Sequence, residues 1–298
     1  MARMREHTAA PVLEASHKPS KYTIPGASRW LLDVFRYRHL LSLLLKKGTT
    51  TRYYGSVLGW AWSYVKPAAQ FFMYYFIFGK VLQIDKGVDL FPIYLFSGIV
   101  LLNFFNEATK AATNSITGNA ALVKKIYLPR ELFPVSAIGS AFIHFVPQIV
   151  LLFVVCLVFG WQFTWAGLIS MLFAVVIVFV FTLGLGLFFG AINVAYRDAK
   201  NIIDVALMFS IWMSPVMYTH EMIRGVLPAW LYNVYLVNPM TVGVELFHGA
   251  FWGPLVSNPS APDYLLTNTI AAMGITLGTL LIGQIVFRRL EGNFAQDL

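Results

Sequence analysis

KKGTTTRYYGSVLGWAWSYVKPAAQFFMYYFIFGK, residues 46–80, decides how the chain is read. It opens on a basic segment with Lys46, Lys47 and Arg52, turns through Gly48, Gly55 and Gly59, and becomes an apolar run dense in aromatic rings. A basic segment that gives way to an apolar helix of membrane length marks where a chain leaves water and crosses a bilayer. Pro67 lies inside that helix and predicts a kink, because proline lacks an amide donor and its ring crowds the preceding turn.

The rest of the chain agrees with that reading. Only 12% of its 298 residues are charged, against about 25% in soluble domains, and the mean hydropathy is +0.66. Apolar runs such as 145–159 and 168–187 are too many for one soluble core of this size. The class is all-α, a polytopic membrane protein. Six transmembrane helices are expected, near 56–81, 91–111, 132–159, 165–194, 202–218 and 264–287. An amphipathic helix over 29–47 is expected to lie at the cytoplasmic interface, with Leu31, Val34, Phe35, Leu41 and Leu45 on one arc and Arg36, Arg38, Lys46 and Lys47 nearby. Residues 1–28 read as a disordered cytoplasmic tail, and 29–298 as a single transmembrane domain. Orientation follows from charge. Of the 22 lysines and arginines, Lys80, Lys86 and Arg224 fall outside and Lys66 within the first span; the others share the side of the N-terminus, so both termini are expected in the cytoplasm. The net charge of +8 is explained this way, with no nucleic acid needed.

Between spans five and six, 219–263 holds two apolar pieces, 228–236 and 241–252, divided by Asn238-Pro239. Each is too short to span. Two short re-entrant helices dipping in from the outer side are expected; a seventh and eighth span would leave the topology the same. Gly184, Gly186 and Gly190 sit in an apolar span with no preceding strand, so they read as close helix packing and not as a nucleotide loop.

Chemistry-bearing motifs are scarce. The lone Cys156 makes neither a disulfide within the chain nor a metal site. No paired carboxylates, metal-ligand cluster or phosphate-binding Gly-x-x-x-x-Gly-Lys-Ser/Thr loop occurs, so no catalytic or metal-binding residue is assigned. Glu107, Glu131 and Asp204 have Lys110, Arg130 and Lys200 as candidate partners, and His144 reads as a hydrogen-bonded interior histidine. No chain of acids marks a proton path.

Three segments carry mechanism. In the loop 119–134, apolar Leu122, Val123, Ile126, Tyr127 and Leu128 are mixed with Lys124 and Lys125, and Pro129 is expected to open the next helix; an apolar face on an aqueous loop needs a partner. Arg197 and Asp198 sit together between spans four and five. At 100° per residue, Trp60, Tyr64, Phe71, Tyr74, Tyr75 and Phe78 share an arc of the first span, while Trp62, Phe72 and Phe76 lie opposite. Phe209, Trp212, Met213 and Val216 are expected on one face of the fifth span. Rings with an apolar face and a hydroxyl suit sugars, although packing explains such rings as well.

RYYGSVLGWAWSYVKP (52–67) resembles the N-terminal signature of the permease subunits of ABC exporters for polysaccharides: O-antigen, capsule and teichoic acid. LVKKIYLPRELFPV (122–135) is similar to that family's coupling segment, and YRD (196–198) and Asn238-Pro239 stand where it has them. The likeness spans about 29–289. Within the family the chain looks most like the actinobacterial permease for lipid-linked galactan.

The resemblance implies a homodimer, each copy carrying an ABC ATPase subunit that binds ATP and Mg, with no cofactor in this chain. It implies a pore built from spans one and five, ATPase contact through 122–128, an outer gate including Trp230, Asn238, Pro239 and Phe247, and a polyprenyl-diphosphate-linked glycan as cargo. The basic residues Arg36, Arg38, Lys46, Lys47 and Arg52 are expected to hold such a diphosphate at the inner interface. The family often has Asn where this chain has Lys66. Two rivals stand beside this reading: an ABC permease for drugs or lipids, and a membrane glycosyltransferase, for which Glu221, Glu245, Asp263, His220 and His248 supply outer acids and bases.

Overall fold

The computed structural model describes residues 31–52, 54–126, 128–257 and 265–298. The expected tail, Tyr127, Asp263 and Tyr264 lie outside them. Among the described residues the regular structure is helical, without a strand. Four helices are long and apolar enough to cross a membrane: α3 (Phe91–Asn114), α5 (Leu132–Val158), α6 (Trp165–Ala195) and α11 (Leu265–Leu290). Their bounds match four of the expected spans closely, since each is a long apolar run ended by a turn signal. The α5–α6 connection shows how. Gly160, at φ +87°, takes the left-handed position, so that its N–H reaches Leu157 O and that of Trp161 reaches Cys156 O. These bonds satisfy carbonyls the helix end would otherwise orphan. Thr164 Oγ1 then accepts from Gly167 N at 3.1 Å and caps α6.

α3 is the central helix, packed by α5, α6 and α10 (Pro239–Phe251). α6 and α11 pack most intimately: a Cβ at Gly283 would fall 2.2 Å from Gly184 O, and one at Gly184 would fall 2.7 Å from Leu280 N. A Cβ at Gly186 would meet Ala112 at 2.6 Å. The glycines in the apolar run therefore serve helix approach.

The N-terminal helix is displaced from its expected place. Residues Leu31–Tyr37 form a 3-10 segment, and α1 runs Arg38–Arg52, through Gly48. It lies along α5, where Gly48 faces Ser140 and Gly139 faces Leu45. Tertiary packing at these two glycines outweighs the cost of glycine within a helix. Phe35, placed on the apolar arc, is 73% exposed, whereas Val34 is buried.

The first expected span is α2 (Trp62–Tyr74), with Pro67 inside it, extended by a π-helical segment Tyr75–Val81. The fifth is corrected: α7 (Ala199–Ser210) stops well short of Tyr218. Pro215 has no N–H to continue a helix, and the freed carbonyls find side-chain donors. Tyr94 Oη donates to Pro215 O at 2.9 Å, Asn238 Nδ2 and Thr241 Oγ1 to Met213 O at 3.3 and 3.1 Å, and Tyr218 Oη to Trp212 O. Irregular backbone is stable away from water when its polar groups are satisfied in this way.

Three short helices precede α11: α8 (His220–Arg224), α9 (Ala229–Val237) and α10. Asn238 Oδ1 accepts from Met240 N at 3.1 Å, and Pro239 takes the first helical position, where its missing N–H costs nothing. Every residue of α10 except Gly249 is buried.

Candidate functional site

One end of the bundle carries α1, the C-terminal half of α3, the start of α5 and the short helix α4 (Ala120–Lys125). Here a cavity of about 620 Å³ opens beside α2, lined by Arg52, Trp62, Lys66, Gln70, Asn103 and Glu107 among others. A second, about 540 Å³, adjoins it between α1, α3 and α5 and shares Arg52, Glu107, Lys110 and His144. The charges are ordered across helices. Arg52 of α1 pairs with Glu107 of α3, and Lys110 Nζ lies 2.8 Å from Asp204 of α7. Glu107 and Lys110 were candidate partners of each other; each instead reaches a different helix, because the ends of α1 and α7 flank α3. Glu131, wholly buried, accepts from Gln284 Nε2 at 3.3 Å and forms no ion pair with Arg130, whose guanidinium sits over the Phe294 ring. His144 is buried, 3.4 Å from Ser63 Oγ through Nδ1, with the Trp60 ring 5.3 Å away.

The aromatic arc does not face one space. Tyr64 and Phe71 line an apolar cleft of about 260 Å³ between α2, α3 and α5, together with Phe72 from the opposite arc. Phe71 and Tyr75 stack at 5.9 Å, and Phe71 also meets Phe96 edge-on at 5.4 Å. Tyr74 leads to Phe78 at 6.3 Å and Phe78 to Trp212 at 6.2 Å, a row of rings that joins the first expected span to the segment after α7. Phe71, Tyr74, Tyr75 and Phe78 pack partly against the core, whereas Phe72 and Phe76 of the plain face are exposed. Phe209, Trp212 and Met213 are exposed, but they share no helical face with Val216, which is buried in the turn after α7 beside Gly98.

The loop segment divides into anchor and ledge. Val123 is buried with Phe133, Leu187, Phe287 and Phe294, and Leu122 packs on that cluster. Lys124, Lys125 and Ile126 project from it, and Leu128 is half-buried. Pro129 is buried three residues before α5 and does not open it; Pro129 O accepts from Leu132 N in the turn between. Arg36, Arg38, Lys46, Lys47, Arg52, Arg197 and Asp198 are exposed, and Lys47 Nζ donates to Asn119 Oδ1 at 2.8 Å. Trp230 is exposed, and Asn238 holds the α10 cap described above. Phe247, expected at an outer gate, is fully buried between Phe145 and Phe251, and Pro239 is buried as well. Of the outer acids and bases, His220 Nδ1 and Glu245 Oε1 lie 3.3 Å apart, both buried, and the His248 ring stacks on Tyr94 at 3.8 Å. Among the described residues no group of three His, Cys, Asp or Glu is placed to hold a metal ion.

Sequence reasoning places Lys66 only within the first span and gives no role to Gln70, Asn103, Asn106 or Gln148. The signal was present as a run of amides on apolar spans, which are costly there unless they meet partners or line a polar space.

A crowded helical bundle, the buried short helix α10 and a charged cavity at one end fit an integral membrane component of a transporter. The chain belongs to the ABC-2 type transporter family, whose model matches residues 39–252. It is similar to the O-antigen export system permease protein RfbA of Myxococcus xanthus, at 25% identity over 91% of this chain and 99% of that protein. It is also similar to the polysialic acid transport protein KpsM of Escherichia coli, at 23% identity over 81% of this chain and 89% of that protein. A third likeness is to the capsule polysaccharide export inner-membrane protein CtrC of Neisseria meningitidis, at 25% identity over 77% and 85%.

Proposed function

We propose that the chain is the membrane-spanning subunit of an ATP-driven polysaccharide exporter in a bacterial plasma membrane. The observation that carries this reading is the similarity, over 77% to 91% of the chain, to three kinds of polysaccharide export permease. The cargo is a glycan on a polyprenyl diphosphate, of galactan or O-antigen type, and the galactan alternative rests on the resemblance of 52–67 and 122–135 alone. Two copies pair, and each carries an ABC ATPase that binds ATP and Mg. Six spans cross the bilayer: α3, α5, α6 and α11, α2 with its π-helical extension, and α7 with the turn after it. Both termini are cytoplasmic, and α8–α10 dip in from outside.

The geometry supplies parts for this task. The exposed ledge Lys124–Ile126 stands on a buried anchor, so a partner pressing on it moves the α4–α5 junction as a unit. The row Tyr74, Phe78 and Trp212 offers ring faces and a phenol to a passing sugar, and it joins the two elements expected to build the pore. Arg36, Arg38, Lys46, Lys47 and Arg52 form the basic approach.

The test is reconstitution of the chain with the ATPase of its neighbouring reading frame, followed by ATPase stimulation with lipid-linked glycan or with amphiphilic drugs. Stimulation by the glycan supports the reading. Stimulation by the drugs alone refutes it in favour of a drug or lipid permease, and turnover of a polyprenyl sugar by this chain alone refutes it in favour of a glycosyltransferase.

A further inference from the structure

The cavity beside α2 has a lining that helix packing does not require. Arg52 and Glu107 neutralise each other, as do Lys110 and Asp204. Lys66 also lines this cavity and has no carboxylate partner among the described residues. The cavity therefore holds one cation in excess, and the exposed Lys66 is placed to meet an anion that enters it.

Gln148 supplies a second, independent sign. It is only 7% exposed, its Nε2 donates to His144 O at 3.3 Å, and its Oε1 has no hydrogen-bond partner among the described residues. Turning the amide over would set oxygen against the His144 carbonyl, so the unpartnered atom is the acceptor. A buried acceptor without a donor costs about 1–3 kcal/mol, which a hydroxyl entering the cavity would recover. An unpaired cation and an unpaired acceptor in one chamber are met together by a molecule with both anionic oxygens and hydroxyl groups.

Pro67 and Gln148 line this cavity and also the apolar cleft. The cleft is walled by Tyr64, Phe71, Phe72, Ile93, Phe96 and Leu151, a lining suited to hydrocarbon. A charged chamber and a hydrocarbon chamber that share a wall fit the two ends of one amphiphile.

We infer that the two chambers form a single site for an anionic, hydroxyl-bearing lipid, its phosphate-sugar headgroup in the cavity against Lys66 and Gln148 and the first part of its tail in the α2–α3–α5 cleft. The inference rests on the lipid-linked glycan reading and adds where, within one protomer, the carrier lipid is held. Lys66 is the charge-recognising residue and Ala68, on the cleft wall, limits the room for the tail.

The test uses the full transporter, this chain with its ATPase, in nanodiscs. Binding of polyprenyl diphosphate, polyprenol of equal chain length and inorganic diphosphate is measured for the native chain, Lys66→Gln, Lys66→Arg and Ala68→Leu. The native chain is expected to bind polyprenyl diphosphate about tenfold more tightly than polyprenol, the scale of one charge-assisted hydrogen bond. Lys66→Gln should lose that preference, Lys66→Arg should keep it, and Ala68→Leu should weaken both lipids alike. Unchanged preference in Lys66→Gln overturns the headgroup assignment. Competition by inorganic diphosphate at the strength of the lipid, or no effect of Ala68→Leu, overturns the tail assignment and leaves a soluble-anion site. Melting of each variant in the same nanodiscs checks folding, with Lys66→Arg as the conservative control. These measurements need no glycan, so they stand apart from the ATPase stimulation that decides the exporter reading.

Discussion

Gly283→Ala should separate α6 from α11. The added Cβ would stand 2.2 Å from Gly184 O, with Gly184 C at 3.1 Å and Cα at 3.3 Å. A carbon and a carbonyl oxygen meet comfortably at about 3.3 Å, so the helices must part by about 1 Å. The obstacle is backbone, which cannot rotate away as a side-chain tip would. Overpacking of this kind costs about 1–3 kcal/mol, and the upper end applies here. Alanine recovers about 1 kcal/mol of helix propensity over glycine, which leaves a net loss of about 2 kcal/mol.

Gly278 and Gly274 of the same helix make matched controls, because a Cβ at either meets nothing within 4 Å. Gly278→Ala should therefore gain about 1 kcal/mol from propensity alone. At about 2–4 °C per kcal/mol for chains near this size, Gly283→Ala should melt about 4–8 °C lower and Gly278→Ala about 2–4 °C higher. Thermal melting of the detergent-solubilised chains, at one scan rate because membrane proteins often unfold irreversibly, reads both. Equal stability of Gly283→Ala and the native chain, or shifts of the same sign in the two variants, would refute the close-approach argument.

Other expectations are simpler to state. Phe247→Ala, in the fully buried cluster with Phe145 and Phe251, should cost about 3–5 kcal/mol, whereas Trp230→Ala, at 68% exposure, should change stability by less than about 0.5 kcal/mol; chemical unfolding compares them. Lys124→Glu with Ile126→Glu should leave melting unchanged but uncouple ATP hydrolysis from export, and normal export would defeat the ledge reading. Val123→Asp places a charge in the second core cluster and should instead lower the yield of folded protein. A double-mutant cycle on Lys110 and Asp204, both largely solvated, should give a coupling no greater than about 1 kcal/mol.

The long spans are legible in the sequence. α3, α5, α6 and α11 are each encoded by an apolar run with a breaker at its end, and Asn238-Pro239 carries its capping chemistry locally. The same logic failed after Ser210. Apolar composition continues through Val216 and Met217, but the helix does not, because Tyr94, Tyr218, Asn238 and Thr241 supply donors to a backbone that Pro215 interrupts. Apart from Tyr218, those donors lie 25 or more residues away along the chain, so no local pattern could show them. Helical angles likewise sorted the rings of α2 into two arcs but could not say what each arc meets. The described neighbours place Tyr64 and Phe71 with Phe72 in one cleft and direct Tyr74 and Phe78 toward Trp212.

Residues 46–80 illustrate the division. By itself the sequence determines that a basic segment becomes an apolar, aromatic helix with a proline inside it, because charge, hydropathy and proline geometry are properties of neighbouring residues. Only the tertiary structure decides that Arg52 meets Glu107, that Lys110 turns to Asp204, and that Lys66, without a carboxylate partner among the described residues, faces a cavity bounded by Gln148. Ion pairing and cavity shape depend on which helix ends come together, and that is fixed by packing at glycines and apolar faces distant in the chain.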